Sequence, residues 1–402
     1  MSMRSERSVE LNIPLLYVIA LLGGLIFWMG IEKLFLLSIG GDGFAVSLNA
    51  VATVATILAL DIPTGALADH WGRKHLLLTG GACLFLSSTV YGLSHSPKTF
   101  LIGSVLFGAA VATINGATQA LTYDSLQELG KTKDYNKIHG RLQAALAVGA
   151  GFALLVSGYL AQHFGFRLNF RLAMASSAIA FALSWLLTEP KQHTFETGKP
   201  PIKVAIKESV KTVRKSKFLI AAAVLFLVTS AFRWMSDNYS QLVFSDIGIR
   251  LTWISILGFL AVGSGAIGRL VSHRFQGYTR QIVFIIIALF ALVGFVSNKS
   301  IIIIGLLGFY GLNQLVQNVC ESEIQDHLPS HIRATATSVF TFISTMLIVP
   351  FGLLTGVIMK RYDVFAAFKV GAVLGALALL WWTFQDKGDL ELETSPDQPT
   401  TL

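Results

Sequence analysis

Apolar runs of about twenty residues recur along almost the whole of this chain, near 11–36, 44–66, 75–95, 99–124, 139–163, 168–188, 217–241, 250–271, 280–297, 300–322, 334–358 and 366–384. As a helix, a run of that length crosses roughly 30 Å of hydrocarbon. No water there can meet a bare N–H or C=O, and a helix satisfies both within one segment. Barrel strands would show alternating segments of about ten residues, whereas these runs are continuous. The reading is an all-α integral membrane protein with twelve transmembrane helices. Composition agrees: 53% of residues are hydrophobic and 13% charged, outside the range of soluble globular chains.

The first run is too long for a secretory signal and no small-residue cleavage pattern follows it; Glu32 and Lys33 read as an outer helix end. Cys83 and Cys320 both fall in apolar runs, with neither metal-ligand spacing nor a disulfide framework, and read as small buried residues. With twelve spans both termini share one side. Of the 31 basic residues, 21 fall on that side, 9 on the other, and Arg233 lies within a span. Positive loops resist translocation, so both termini are placed in the cytoplasm. The net charge of +8 is spread over loops facing anionic lipid and does not point to nucleic acid.

The chain is expected to divide into a six-helix bundle over 1–188, a cytoplasmic linker over 189–216, a second six-helix bundle over 217–384 and a disordered cytoplasmic tail over 385–402. In the linker Lys203, Lys207, Lys211, Arg214 and Lys215 oppose Ile202, Ile206, Val210 and Val213 at near-helical spacing, which fits an amphipathic helix on the membrane surface or a plain tether. The halves resemble each other. Gly65-Ala66-Leu67 recurs as Gly265-Ala266-Ile267, Asn115 and Gln119 as Asn313 and Gln317, and Ser157-Gly158 as Thr355-Gly356. Three matches in one order, at offsets near 200, argue for an internal duplication into two pseudo-symmetric bundles.

The stretch GALADHWGRKHLLL from Gly65 resembles the motif G-x-L-A-D-x-x-G-R-[RK] between the second and third spans of major facilitator superfamily (MFS) transporters. DIPT at 61–64, YDSLQ at 123–127, HGR ending at Arg141, GFRLNF at 165–170 and PSHIRATATS at 329–338 resemble further signatures of that family. The resemblance covers residues 11–384 and implies two bundles that rock about a central site. It also implies a latch of Gly65, Asp69, Gly72, Arg73, Lys74, Asp124, Arg141 and Arg333. Gly65 would let the second and eleventh spans approach, Asp69 would face the N-terminal end of the eleventh, and Arg73 would pair with Asp124, holding the outward-facing state. The charges could instead only set topology. Where Asp69 stands in the first half, Arg269 stands in the second, so the latch is expected to be asymmetric. The Gly-Pro pair usual in the fifth span of drug/proton antiporters is replaced by Ala153-Leu154, which weakens a multidrug reading.

Polar groups at membrane depth are costly and therefore point to a cavity. Asn313, Gln314, Gln317, Asn318 and Glu321 form one stripe on the tenth span, and Asn115, Gln119 and Thr122 another on the fourth. Two repeat-related stripes favour a shared cavity; hydrogen bonding between helices is the competing account. Arg233 lies about 22 Å along the seventh span at ~1.5 Å per residue, so a pair with Asp237 is expected, beside Trp234, Asn238 and Tyr239. That pair could bind an anionic or zwitterionic group, carry the coupling proton through Asp237, or be structural. The carboxylates that could titrate within the membrane are Asp61, Asp237 and Glu321.

No phosphate-cradling loop, zinc spacing or activated nucleophile occurs, so neither an enzyme nor a bound cofactor is expected. The expectation is a monomeric secondary transporter of the bacterial inner membrane, its partners being a small-molecule solute, a coupling proton and the lipid bilayer. Proton-coupled export of an amphipathic drug or metabolite stands first, and uptake or exchange of an anionic or zwitterionic solute second. A transport-inactive sensor or scaffold stands third.

Overall fold

The structure is a computed structural model that describes residues 9–190, 217–326 and 330–393. Its helices are α1 (Asn12–Gly24), α2 (Glu32–Ser38), α3 (Gly43–Trp71), α4 (Arg73–Leu93), α5 (Pro97–Glu128), α6 (Tyr135–Phe164) and α7 (Phe166–Ser184), then α8 (Lys217–Asp246), α9 (Leu251–Val271), α10 (Thr279–Phe295), α11 (Lys299–Asp326), α12 (Ser330–Arg361) and α13 (Val364–Glu393). Among the described residues there is no strand. Among the described residues nine helices are long and apolar enough to cross a membrane, α1 and α10 are shorter apolar helices, and α7 lies at the remaining apolar run.

Two boundaries differ from the sequence reading. The first run is not one helix, because α1 stops at Gly24 and α2 starts at Glu32. The non-helical stretch between them is tolerated because side chains take over its backbone groups: Ser176 Oγ donates to Leu25 O at 3.2 Å and Gln241 Nε2 to Met29 O at 2.8 Å. Trp28 anchors it, donating to Ser88 Oγ at 3.2 Å and packing against Tyr91, Phe107 and Phe170. Second, α13 continues to Glu393, past Gln385 where a disordered tail was expected. The DKGDLELE segment is polar, but its Lys, Leu and Glu are good helix formers, and polarity alone does not end a helix. The amphipathic segment expected in the linker lies outside the described residues.

Helix ends follow local chemistry. Ser96 caps α5 by accepting from Thr99 N, with Pro97 at the first helical position where its missing N–H costs nothing. Gly72, at φ +92°, reverses the chain between α3 and α4 in a single residue, a conformation other L-residues avoid.

Contacts group the chain into two units. One joins the first-half helices with Asn238–Leu260 and Thr345–Val364. Its helices meet at glycines: a Cβ on Gly24 would strike the Leu146 carbonyl and one on Gly149 the Leu21 carbonyl, so α1 and α6 touch backbone to backbone. Gly158 stands likewise against the Leu251 carbonyl, and Gly356 against Ser47 Cβ at 2.6 Å. The repeat-related pairs Ser157-Gly158 and Thr355-Gly356 thus both provide close crossings, each with a fully buried hydroxyl beside the glycine. The other unit, which includes Ala261–Ser344, centres on Phe290, stacked on Phe232 at 4.2 Å and packed against Phe309 and Phe368.

Candidate functional site

At the turn between α3 and α4 the structure builds a charged cluster. Arg73 Nε lies 3.2 Å from Asp124 Oδ2, the side chains being 15% and 10% exposed. A pair so well shielded is costly to break from one side, about 3–5 kcal/mol. The two oxygens of Glu189 accept the backbone N–H groups of Arg73 at 2.6 Å and Lys74 at 2.7 Å, satisfying orphan donors at the start of α4. A Cβ on Gly72 would lie 2.9 Å from that carboxylate, so the glycine also makes room for it. One residue earlier, Thr188 N donates to Asn12 Oδ1, while Asn12 Nδ2 donates to Thr188 O and to Ser125 Oγ. Segment 188–189 therefore ties α1, α4 and α5 together.

Of the expected latch residues, Gly72, Arg73, Lys74 and Asp124 meet here. Arg141 is exposed on α6 and is not brought to the pair. The side chains of Gly65, Asp69 and Arg333 lie outside the described set. Sequence reading missed Glu189 and Asn12. Glu189 had been read as the first linker residue, and only its place beside Pro190 at the end of a span hinted at a helix-end role.

Within the first unit a cavity of about 100 Å³ lies among α1, α4, α5, α6 and α7. Leu16, Leu77, Ile114 and Leu142 give it apolar walls, while Asn115 and Gln119 supply amides from exposed positions on α5. No lining residue carries a charge. The volume approaches the roughly 150 Å³ of an apolar cavity that admits benzene, so it suits a ring-sized part of a solute.

The second-half stripe is arranged differently. Asn313 is fully buried and donates to Thr229 O at 3.0 Å; Gln317 donates to Ser230 Oγ at 3.2 Å and Asn318 to Ser272 Oγ at 2.7 Å. Arg269 Nε donates to Gln314 Oε1 at 3.0 Å, so the residue that breaks the second loop motif is held by an amide of that stripe. The four amides make the bonds between helices that were weighed against a cavity, and this corrects the expectation that Asn313 lines one. Glu321 is exposed on α11, and Asp61 is exposed on α3.

Arg233 Nε stands 3.7 Å from Asp237 Oδ2 one turn on, with side-chain exposures of 40% and 48%, so the expected pair forms and stays open to small partners. Trp234 and Tyr239, expected to offer contact surface beside it, are instead buried. Tyr239 belongs to another arrangement in the first unit. Its hydroxyl lies 2.8 Å from Ser47 Oγ and 2.7 Å from Thr355 Oγ1. Thr355 donates onward to Gly352 O at 2.9 Å, whereas the bond from Ser47 to its own helix, at Gly43 O, is longer at 3.2 Å. With one proton per hydroxyl, the three form a single chain that ends at Gly352 O when it runs from Ser47 through Tyr239 to Thr355, and at Gly43 O when it runs in reverse; the shorter terminal bond favours the first.

An uncharacterised transporter of Buchnera aphidicola subsp. Schizaphis graminum is 24% identical over 188 residues, 47% of this chain and 46% of that protein. Multidrug resistance protein 2 of Bacillus subtilis is 26% identical over 203 residues, 48% of this chain and 50% of that protein. The chain thus spans about half the length of these relatives. A variant of the nucleoside transporter NupG superposes with a TM-score of 0.76 over 94% of this chain and 99% of that one, at 14% identity, a likeness of fold alone. The sequence model described as Major Facilitator Superfamily matches residues 15–352, and the chain belongs to that family of membrane transporters.

Proposed function

We propose that the chain exports an amphipathic organic solute across the bacterial inner membrane by alternating access, driven by proton entry, as a monomer with both termini cytoplasmic. The observation that carries this reading is the uncharged cavity of the first unit, where Asn115 and Gln119 remain exposed beside apolar walls while their second-half counterparts are bonded to neighbouring helices. An apolar pocket with a few placed polar groups suits a solute with an apolar ring and a hydrogen-bonding group. The drug-resistance name of the Bacillus subtilis relative supports export.

In this reading the hydroxyl chain through Tyr239 closes one crossing of the first unit, and Arg73 and Asp124 belong to a latch for which Gly65, Asp69 and Arg333 are the further candidates to be tested. Asp61, Asp237 and Glu321 are the proton carriers to be tested. A second reading, uptake or exchange of an anionic or zwitterionic solute, rests on the half-exposed Arg233–Asp237 pair.

Purified protein in vesicles with an imposed pH gradient separates the two, using ethidium as cationic probe and carboxyfluorescein as anionic probe. Export predicts gradient-dependent movement of ethidium, slowed about tenfold in Gln119→Ala at low probe concentration through loss of a polar contact. Movement of carboxyfluorescein alone would favour the second reading. Movement of neither would favour a transport-inactive scaffold.

A further inference from the structure

We propose that the groove between α4 and α7 binds one anionic phospholipid, with its acyl chain against Trp71, Leu78, Ala82, Phe181 and Trp185 and its phosphate at Lys74 and His75. The groove is open and encloses about 550 Å³. Trp71 and Trp185, on its rim, are 59% and 60% exposed. Tryptophans so placed at a helix end mark the headgroup level of a bilayer. From His75 to Ala82 the wall runs seven residues along α4, about 10 Å at 1.5 Å per residue. A lipid seated there would have its headgroup at the α3–α4 turn and the upper part of one chain alongside α4.

Charge decides which lipid. Two described carboxylates lie at this turn and both are engaged: Asp124 with Arg73, and Glu189 with the N–H groups of Arg73 and Lys74. The Lys74 ammonium donates to Trp185 O at 2.8 Å, and two of its three protons remain for a phosphate. Exposed His75 stands next to it as a further donor. Lys74 is thereby held at the groove's mouth by the backbone of the helix that forms its far wall.

The test is quenching of tryptophan fluorescence by brominated lipid and does not depend on transport. One variant keeps Trp71 and Trp185 and carries Phe at the other five of the seven tryptophans; a second keeps only Trp253, which is 58% exposed on α9. Each is reconstituted in mixtures of phosphatidylglycerol and phosphatidylcholine, with one lipid brominated and then the other. The expected result is a preference of about fivefold for phosphatidylglycerol at Trp71 and Trp185, the scale of one interfacial cation, and none beyond twofold at Trp253. Lys74→Gln removes the preference. His75→Gln, which leaves Lys74 and its contacts in place, lowers it. Equal preference at both tryptophan sets, none at either, or a preference that survives both substitutions would overturn the proposal.

Discussion

The hydroxyl chain of the first unit gives a prediction that can be worked through atom by atom. Tyr239→Phe deletes an oxygen lying 2.8 Å from Ser47 Oγ and 2.7 Å from Thr355 Oγ1 in a fully buried setting. Two bonds are lost, but the partners are not stranded equally. Ser47 can turn its proton back to Gly43 O, 3.2 Å away, and Thr355 keeps its bond to Gly352 O. With net values near 1 kcal/mol per bond, and about 0.6 kcal/mol for bonds between membrane helices, the cost is about 1 kcal/mol, or a fivefold shift toward an opened crossing. Thr355→Val is the milder change. It removes one of the two bonds, and Tyr239 can then donate to Ser47 Oγ, 2.8 Å away, while Ser47 turns its proton to Gly43 O, so the cost is about 0.6 kcal/mol. A cysteine at Val46, fully buried next to Ser47, reports the opening through its rate of alkylation by N-ethylmaleimide with Cys83 and Cys320 replaced by Ser. The expected order of rates is parent, then Thr355→Val about threefold faster, then Tyr239→Phe about fivefold faster than the parent. Equal rates in all three, or Thr355→Val exceeding Tyr239→Phe, would refute this account of the crossing.

Two further outcomes follow from the contacts. Asp124→Asn removes the carboxylate facing a guanidinium that is 15% exposed, and should cost about 3 kcal/mol, read as a fall of several degrees in thermal unfolding in detergent; an unchanged midpoint would show the pair to be incidental. Neighbouring glycines should behave oppositely: a Cβ on Gly24 meets the backbone of Leu146 and Ala150, so Gly24→Ala should cost about 1–3 kcal/mol, whereas Gly23→Ala meets nothing within 4 Å and should leave the same midpoint unmoved.

The helical architecture was legible in the sequence because one constraint dominates it: backbone groups in hydrocarbon must be paired within the segment. Among the described residues a helix lies at each of the twelve apolar runs, and nine of these are long and apolar enough to cross a membrane. What the runs could not show is that the first is broken. Leu25–Ile31 is as apolar as its flanks, and the groups that replace its helical bonds, Ser176 and Gln241, are about 150 and 212 residues away in sequence. Hydropathy reports what a segment is solvated by, not whether a distant hydroxyl or amide completes its backbone. Glu189 was unreadable for a related reason. A carboxylate that caps a helix from 115 residues downstream carries no spacing signal.

The duplicated pattern was legible as a pattern but not as a division of labour. Asn115 and Asn313 occupy corresponding positions, yet one is exposed at a cavity and the other is wholly buried against Thr229. Their difference traces to neighbours. In the second half Arg269 stands where the first half has Asp69, and it engages Gln314, while Ser230 and Ser272 engage Gln317 and Asn318. An amide in hydrocarbon takes whatever hydrogen-bond partner its neighbours offer, because leaving it bare is the more costly state. Hydroxyls and a guanidinium within reach therefore turn a polar stripe into helix-to-helix bonding. Around Asn115 and Gln119 the cavity also carries hydroxyls, but Ser177 and Ser184 donate to their own helix at Ala173 O and Ala180 O, and in the proposed reading the two amides are left for a solute. If the first half binds as proposed, a duplicated half changes from binding to bracing through substitutions on the adjoining helices, without altering the amides themselves.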